Sequence, residues 1–237
     1  GGYRTTGYTD AEPAPFVAGL DDGYRINGQA PTGPLPLQAG ELAINGIAIG
    51  AAADDSAAAK AAAINAAEDQ TGVTAKISAA THTAAGSVQT GAINAGDLLI
   101  NGVDIFPAGA AVLANDSDNV LVDAINAKNE SANTGVVASR NSSGQLMLTA
   151  IDGRNIEVET SGNGSTRTGL AAGVDVHYGS LQLSSDRVFT LKTPAGAEPG
   201  LSALGLAGGG FQSADEGGDG TLVVQDLAKR EGFVRYT

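Results

Sequence analysis

The chain has 237 residues, enough for one or two compact domains, and a formal charge of -13 at pH 7. That charge, with no Lys/Arg cluster to offset it, excludes a DNA or RNA partner, because phosphate binding needs a basic surface. Cysteine is absent, which excludes disulfides, thiolate metal sites and cysteine nucleophiles. No apolar run is long enough to span a bilayer, so neither a transmembrane helix nor a signal peptide is expected.

The hydrophobic fraction of 42% is reached with no Trp, five Phe, five Tyr and one Met, while Gly numbers 34. Small side chains and frequent Gly predict short strands joined by tight turns. A start at Gly1-Gly2-Tyr3 is what an excised or processed chain would show.

Residues 1–39 form a Gly/Pro-rich leading segment with short strands, among them Tyr24 to Gly28. A repeat follows. Leu42 and Ile44 precede Asn45-Gly46, and Ile47 and Ile49 follow it. Alternating apolar residues about Asn-Gly predict a hairpin, because Asn and Gly accept the positive φ of a type I′ turn. Asp54, Asp55 and Ser56 then predict a helix N-terminus, with a helix from about Ser56 to Asp69 that contains Ile64 and Asn65. Gly72 is a suitable stop before the extended segment Val73 to Ile77.

The second copy repeats this order. Leu98 and Ile100 flank Asn101-Gly102 with Val103 and Ile105, and Asp116 to Asp118 open a helix to about Asn129 that contains Ile125 and Asn126. Val120, Leu121, Ala124 and Ile125 give it an apolar face, Gly135 is its stop, and Val136 to Ser139 is extended. Hairpins are predicted for 145–160, turning at Asp152-Gly153, and for 180–191, turning near Ser185 to Arg187. Residues 207–220 read as a loop, and Thr221 to Gln225 as the last strand. The fold class is α+β: repeated β-hairpin–helix–strand units with mostly antiparallel sheets. The expected division is 1–39, a first repeat unit at 40–95, a second with its following hairpins at 96–206, and a Gly/Asp-rich loop with an exit strand at 207–237.

Both copies carry Ile-Asn-Gly (44–46 and 100–102), Ala-Ile-Asn-Ala (63–66 and 124–127) and Thr-Gly-Val (71–73 and 134–136) in that order. This ordered set resembles the hook IN-type motif in the surface-exposed central regions of bacterial flagellins and of filament-cap and hook-associated proteins. The two copies cover roughly residues 40 to 160. Unlike whole members of that family, the chain shows no sustained heptad pattern at either end. The resemblance therefore implies a non-enzymatic, extracellular module: the variable outer domain of a flagellin. It would be monomeric as a fragment and joined to other flagellin subunits only through termini it does not contain. The alternatives are the outer domain of a hook–filament junction or cap protein, and, from another class, a carbohydrate- or calcium-binding adhesin domain reading host or surface glycans. No cofactor is expected.

The residues assigned to the motif are Ile44, Asn45, Gly46, Ile64, Asn65, Gly72, Ile100, Asn101, Gly102, Ile125, Asn126 and Gly135. Asn45 and Asn101 are expected in left-handed turns, and Asn65 and Asn126 as ties from helix to strand. His82 and His177 lie far apart without a His-Glu-x-x-His arrangement and read as solvent-facing or loop residues. No Gly-x-Ser-x-Gly elbow precedes a helix. The oxygen-rich runs 115–119 and 215–220 read as a helix cap and a solvated loop rather than calcium sites. By the resemblance, Ser142, Ser143, Ser165 and Thr166 are candidate glycosylation sites.

Overall fold

The computed structural model describes residues 24–193, 199–206, 221–224 and 235–236. In chain order the elements are β1 (Tyr24–Asn27), β2 (Ala43–Ile44), β3 (Ile47–Ala48), α1 (Ala57–Asn65), α2 (Glu68–Thr71), β4 (Thr74–Ser78), β5 (Ala80–Ser87), β6 (Gly91–Ile93), β7 (Leu98–Ile100), β8 (Val103–Asp104) and β9 (Ala110–Val112). There follow α3 (Val120–Ala132), β10 (Val137–Arg140), β11 (Gln145–Ala150), β12 (Ile156–Thr160), α4 (Gly164–Thr168), β13 (Gly173–His177), β14 (Ser180–Ser185), β15 (Phe189–Lys192), α5 (Pro199–Ala203), β16 (Thr221–Val224) and β17 (Arg235–Tyr236). Strands dominate, helices are short and the pairings are antiparallel, as the alternating apolar pattern requires.

The apolar residues gather into two clusters rather than one. The first takes Ile26, Leu42, Ile44, Ile64 and Val73 from the early chain, but also Leu181, Leu183, Phe189, Leu191 and Leu204 from the late chain. The second lies wholly between Ala80 and Leu170, and includes Ile100, Ile125, Leu148 and Val158. The chain thus leaves the first cluster after β4, builds the second, and returns at β14.

The strand pairings make the duplication explicit. In the second unit β7 pairs with β8, β10 with β11, and β12 with β7, where Val158 faces Ile100. In the first unit β2 pairs with β3, β4 with β14, and β15 with β2, where Leu191 faces Ile44. So β2, β3, α1, β4, β14 and β15 correspond in order to β7, β8, α3, β10, β11 and β12. The second copy is inserted in the first between β4 and β14. Strands β14 and β15, which follow the second repeat in sequence, complete the sheets of the first.

The turns form as their residues dictate. Asn45-Gly46 has φ of 51° and 81°, and Asn101-Gly102 has 48° and 74°, the positive pair of a type I′ hairpin. Ser56 caps α1, its hydroxyl accepting from Ala59 N at 3.1 Å. The expected single helix 56–69 is two, α1 and the one-turn α2, and α2 ends on Gly72 at φ 66°. The 13-residue α3 ends not at Gly135 but at Asn133, which itself takes φ 52°. Asn tolerates this conformation because its short amide bonds the local backbone.

Candidate functional site

The motif residues come together as one bonded assembly, built twice. Ile44, Ile64, Ile100 and Ile125 are fully buried and anchor each copy in its cluster. The asparagines beside them complete the backbone ladders where regular pairing stops.

Asn101 stands one residue beyond the last regular β7–β12 pair. Its N–H donates to Glu157 O at 2.8 Å, and its Oδ1 accepts from Glu157 N at 2.8 Å. The side-chain amide thus supplies the carbonyl that the turning backbone has carried away. Its Nδ2 donates to Thr134 O at 2.7 Å and Asn155 O at 3.1 Å. Asn45 repeats the arrangement: N–H to Thr190 O at 2.9 Å, Oδ1 from Thr190 N at 2.8 Å, and Nδ2 to Thr71 O at 2.8 Å. Thr71 and Thr134 each open a Thr-Gly-Val. The first and third parts of the motif are therefore in direct contact.

The second part serves a sheet edge. Strands β4 and β10 are terminal in their sheets, so one row of their backbone groups lacks a strand partner. Asn65 donates Nδ2 to Ala75 O at 3.0 Å and accepts from Ala75 N at 2.7 Å. Asn126 does the same to Ala138, at 3.1 and 2.8 Å. One amide satisfies both groups of an edge residue and fixes the helix on its strand. Gly135, at φ 72°, donates its N–H to Asn129 Oδ1 at 2.9 Å.

Residues outside the motif take other roles. Asp116 is buried and its two carboxylate oxygens accept from Leu121 N at 2.9 Å and Val122 N at 3.1 Å, capping α3 from outside the helix. The run 215–220 lies outside the described residues. Ser142 and Ser143 are exposed in the turn between β10 and β11, and Thr166 is exposed on α4. Ser165 is half-buried and donates its hydroxyl to Leu170 O at 2.9 Å.

The units meet where the 151–155 turn reaches α1. Ala58 N donates to Gly153 O at 3.0 Å and Asn155 Nδ2 to Asp55 Oδ1 at 2.7 Å. Lys60 is buried on α1; burial depresses its pKa below the usual lysine range, opposed by the nearby Asp55 and Asp54. Tyr178 is raised, chiefly by burial and then by Asp55 and Glu157.

The histidines differ from expectation. His82 on β5 and His177 on β13 are half-buried strand residues whose rings stack, centroids 3.7 Å apart and planes 16° from parallel. His177 Nε2 lies 3.2 Å from Asp175 Oδ2. Burial lowers the His82 pKa, His177 lowers it further and Asp175 opposes both. The Asp175-x-His177 spacing places both side chains on one face of a strand and was visible in the sequence. Their meeting with His82 depends on the long-range apposition of β5 and β13, which no local pattern encodes.

Comparison with known proteins agrees with this motif. The flagellin hook IN motif family matches residues 97–152, the second copy. Flagellin A of Helicobacter felis is 32% identical over 160 residues, covering 62% of this chain and 30% of that protein. Flagellin A of Helicobacter pylori is 38% identical over 129 residues, covering 51% of this chain and 24% of that protein. The chain thus spans less than a third of the length of these relatives.

Proposed function

We propose that this chain, similar to flagellins over its hook IN motif, is a structural module of the flagellar filament: the outer, variable domain of a flagellin, presented outside the cell. The observation that carries this reading is the duplicated asparagine assembly. Its polar groups are spent on backbone closure, with nothing left over that points at a reactant. Among the described residues the longest helix has 13 residues, far from a polymerising coiled coil, which supports a projecting rather than a tube-forming role. No helix among the described residues is long and apolar enough to cross a membrane.

On this reading filament assembly with other flagellin subunits belongs to the rest of the protein, and this region sets surface and antigenic character. Of the four candidate glycosylation hydroxyls, Ser142, Ser143 and Thr166 are exposed, whereas Ser165 is half-buried and already bonded. On this reading the packing units are residues 24–78 with 180–193 and 199–206, and residues 80–177.

Immunogold labelling of flagellated source cells with antibody to this chain tests the proposal. Gold along the filament is expected. Gold confined to the hook–filament junction or the tip would assign the chain to a junction or cap protein instead, and unlabelled flagella would overturn the reading.

A further inference from the structure

We propose that His82, Asp175 and His177 bind one divalent transition-metal ion of the zinc class, across the seam between the strand that leaves the first unit and the strand that returns to it. The chain has two histidines, and the fold stacks them face to face at 3.7 Å. Asp175 and His177 project from the same face of β13, because they are two residues apart on a strand. Strands β5 and β13 are the edge strands of their respective sheets. The three side chains therefore fill the seam where two sheet edges meet.

One ligand atom from each residue falls within 4.8 Å of the others. A tetrahedral zinc with bonds near 2.0–2.1 Å needs ligand atoms about 3.3 Å apart and in line with the in-plane lone pairs of both rings, so the stacked imidazoles must part and turn toward a common point to close the site. His177 Nε2 is shielded from solvent and makes no hydrogen bond, although Asp175 Oδ2 is 3.2 Å away. A metal ion seated between a neutral imidazole nitrogen and this carboxylate oxygen would give each atom a bond. Two imidazoles and one carboxylate favour Zn²⁺, Co²⁺, Ni²⁺ or Cu²⁺ over Ca²⁺ and Mg²⁺, which prefer all-oxygen sets, and they leave a fourth position for water.

The location gives the ion a structural consequence. Ser78 ends β4 in the first unit and Ala80 begins β5 in the second; His177 ends β13 and Ser180 begins β14. Bound metal would tie the outgoing strand to the returning one within a few residues of the crossing. It would stabilise the joint by mass action, since the unfolded chain holds these residues far apart.

The test uses the full chain without a polyhistidine tag, stripped by chelator, at neutral pH. Calorimetric titration with ZnCl₂ is expected to show one saturable site, with a raised melting temperature. CoCl₂ should give the visible absorption of a low-coordinate site, CaCl₂ and MgCl₂ should give no response, and both histidine rings should shift together in NMR spectra. His82→Gln and His177→Gln should each weaken binding by at least about tenfold. Absence of saturable Zn²⁺ binding, unchanged binding in both variants, or ring signals unmoved by Zn²⁺ in the wild-type chain would overturn the proposal. The ring signals decide the matter even if a variant fails to fold.

Discussion

Asn101 combines a left-handed backbone with an amide that both donates and accepts, and few residue types can do both. Aspartate has the same size and keeps the acceptor for Glu157 N, but it loses the donor to Thr134 O and Asn155 O and sets a charge against two carbonyls. Asn101→Asp should cost about 1–3 kcal/mol in denaturant unfolding, with Asn45→Asp similar. Gly46 and Gly102 isolate the backbone effect, because an added Cβ at either meets nothing within 4 Å while φ is strongly positive. Gly102→Val should therefore cost about 1–3 kcal/mol through conformation alone; an unchanged melting temperature would contradict the turn assignment. Lys60 tests burial of charge. Its pKa is lowered in the fold, so the unfolded chain binds more protons as pH rises toward 10.5, and stability rises through that window. Below it the cost of the buried ammonium is fully present. Lys60→Met should melt higher than wild type at pH 7, and the gap should narrow as pH rises toward 10.5; a gap independent of pH would count against a charged Lys60 in the fold.

At the scale of elements, both Asn-Gly hairpins, the Ser56 cap and the strands 145–150 and 156–160 could be read from sequence because their signals are local: alternation, a turn pair, a capping hydroxyl. The hairpins expected for 145–160 and 180–191 do not form: β11 pairs with β10 and β5, β12 with β7 and β13, β14 with β1 and β4, and β15 with β2 and β16, because each strand finds its partner across the fold rather than across its own turn. Strand β5 could not. Its Ala-Thr-His-Thr-Ala-Ala-Gly-Ser has no large apolar residue, and it is a strand because β11 offers it a ladder. The pairing of β14 with β4 was hidden for a related reason. Ser180 to Ser184 follows the second repeat in sequence, and only the fold reveals that it belongs with Ser78 to Thr74, across the inserted unit. Gly179 sits at that crossing. A Cβ there would lie 2.6 Å from Ser78 O and 3.1 Å from Ala57 Cβ, so Gly179→Val should destabilise the joint by about 1–3 kcal/mol by overpacking. Hydrogen exchange should then quicken in β4 and β14 before it changes in α3 and β10. Uniform loss of protection would contradict a local effect.

Across the whole molecule, one wiring scheme is used twice and nested. The motif's first and third parts touch and the second holds the adjoining sheet edge, so each copy carries its own closure: turn to neighbouring strand, turn to Thr-Gly-Val, helix to sheet edge. A short internal set of bonds lets small residues stand in for the aromatic core that the composition lacks. Nesting sends the chain through the joint twice, once after β4 and once before β14. If each copy is a complete packing unit, residues 80–177 produced alone should fold. A cooperative thermal transition is expected, with the Asn101 and Asn126 side-chain amides protected from exchange. A non-cooperative melt with freely exchanging amides would show that the second copy depends on the first, and would contradict it.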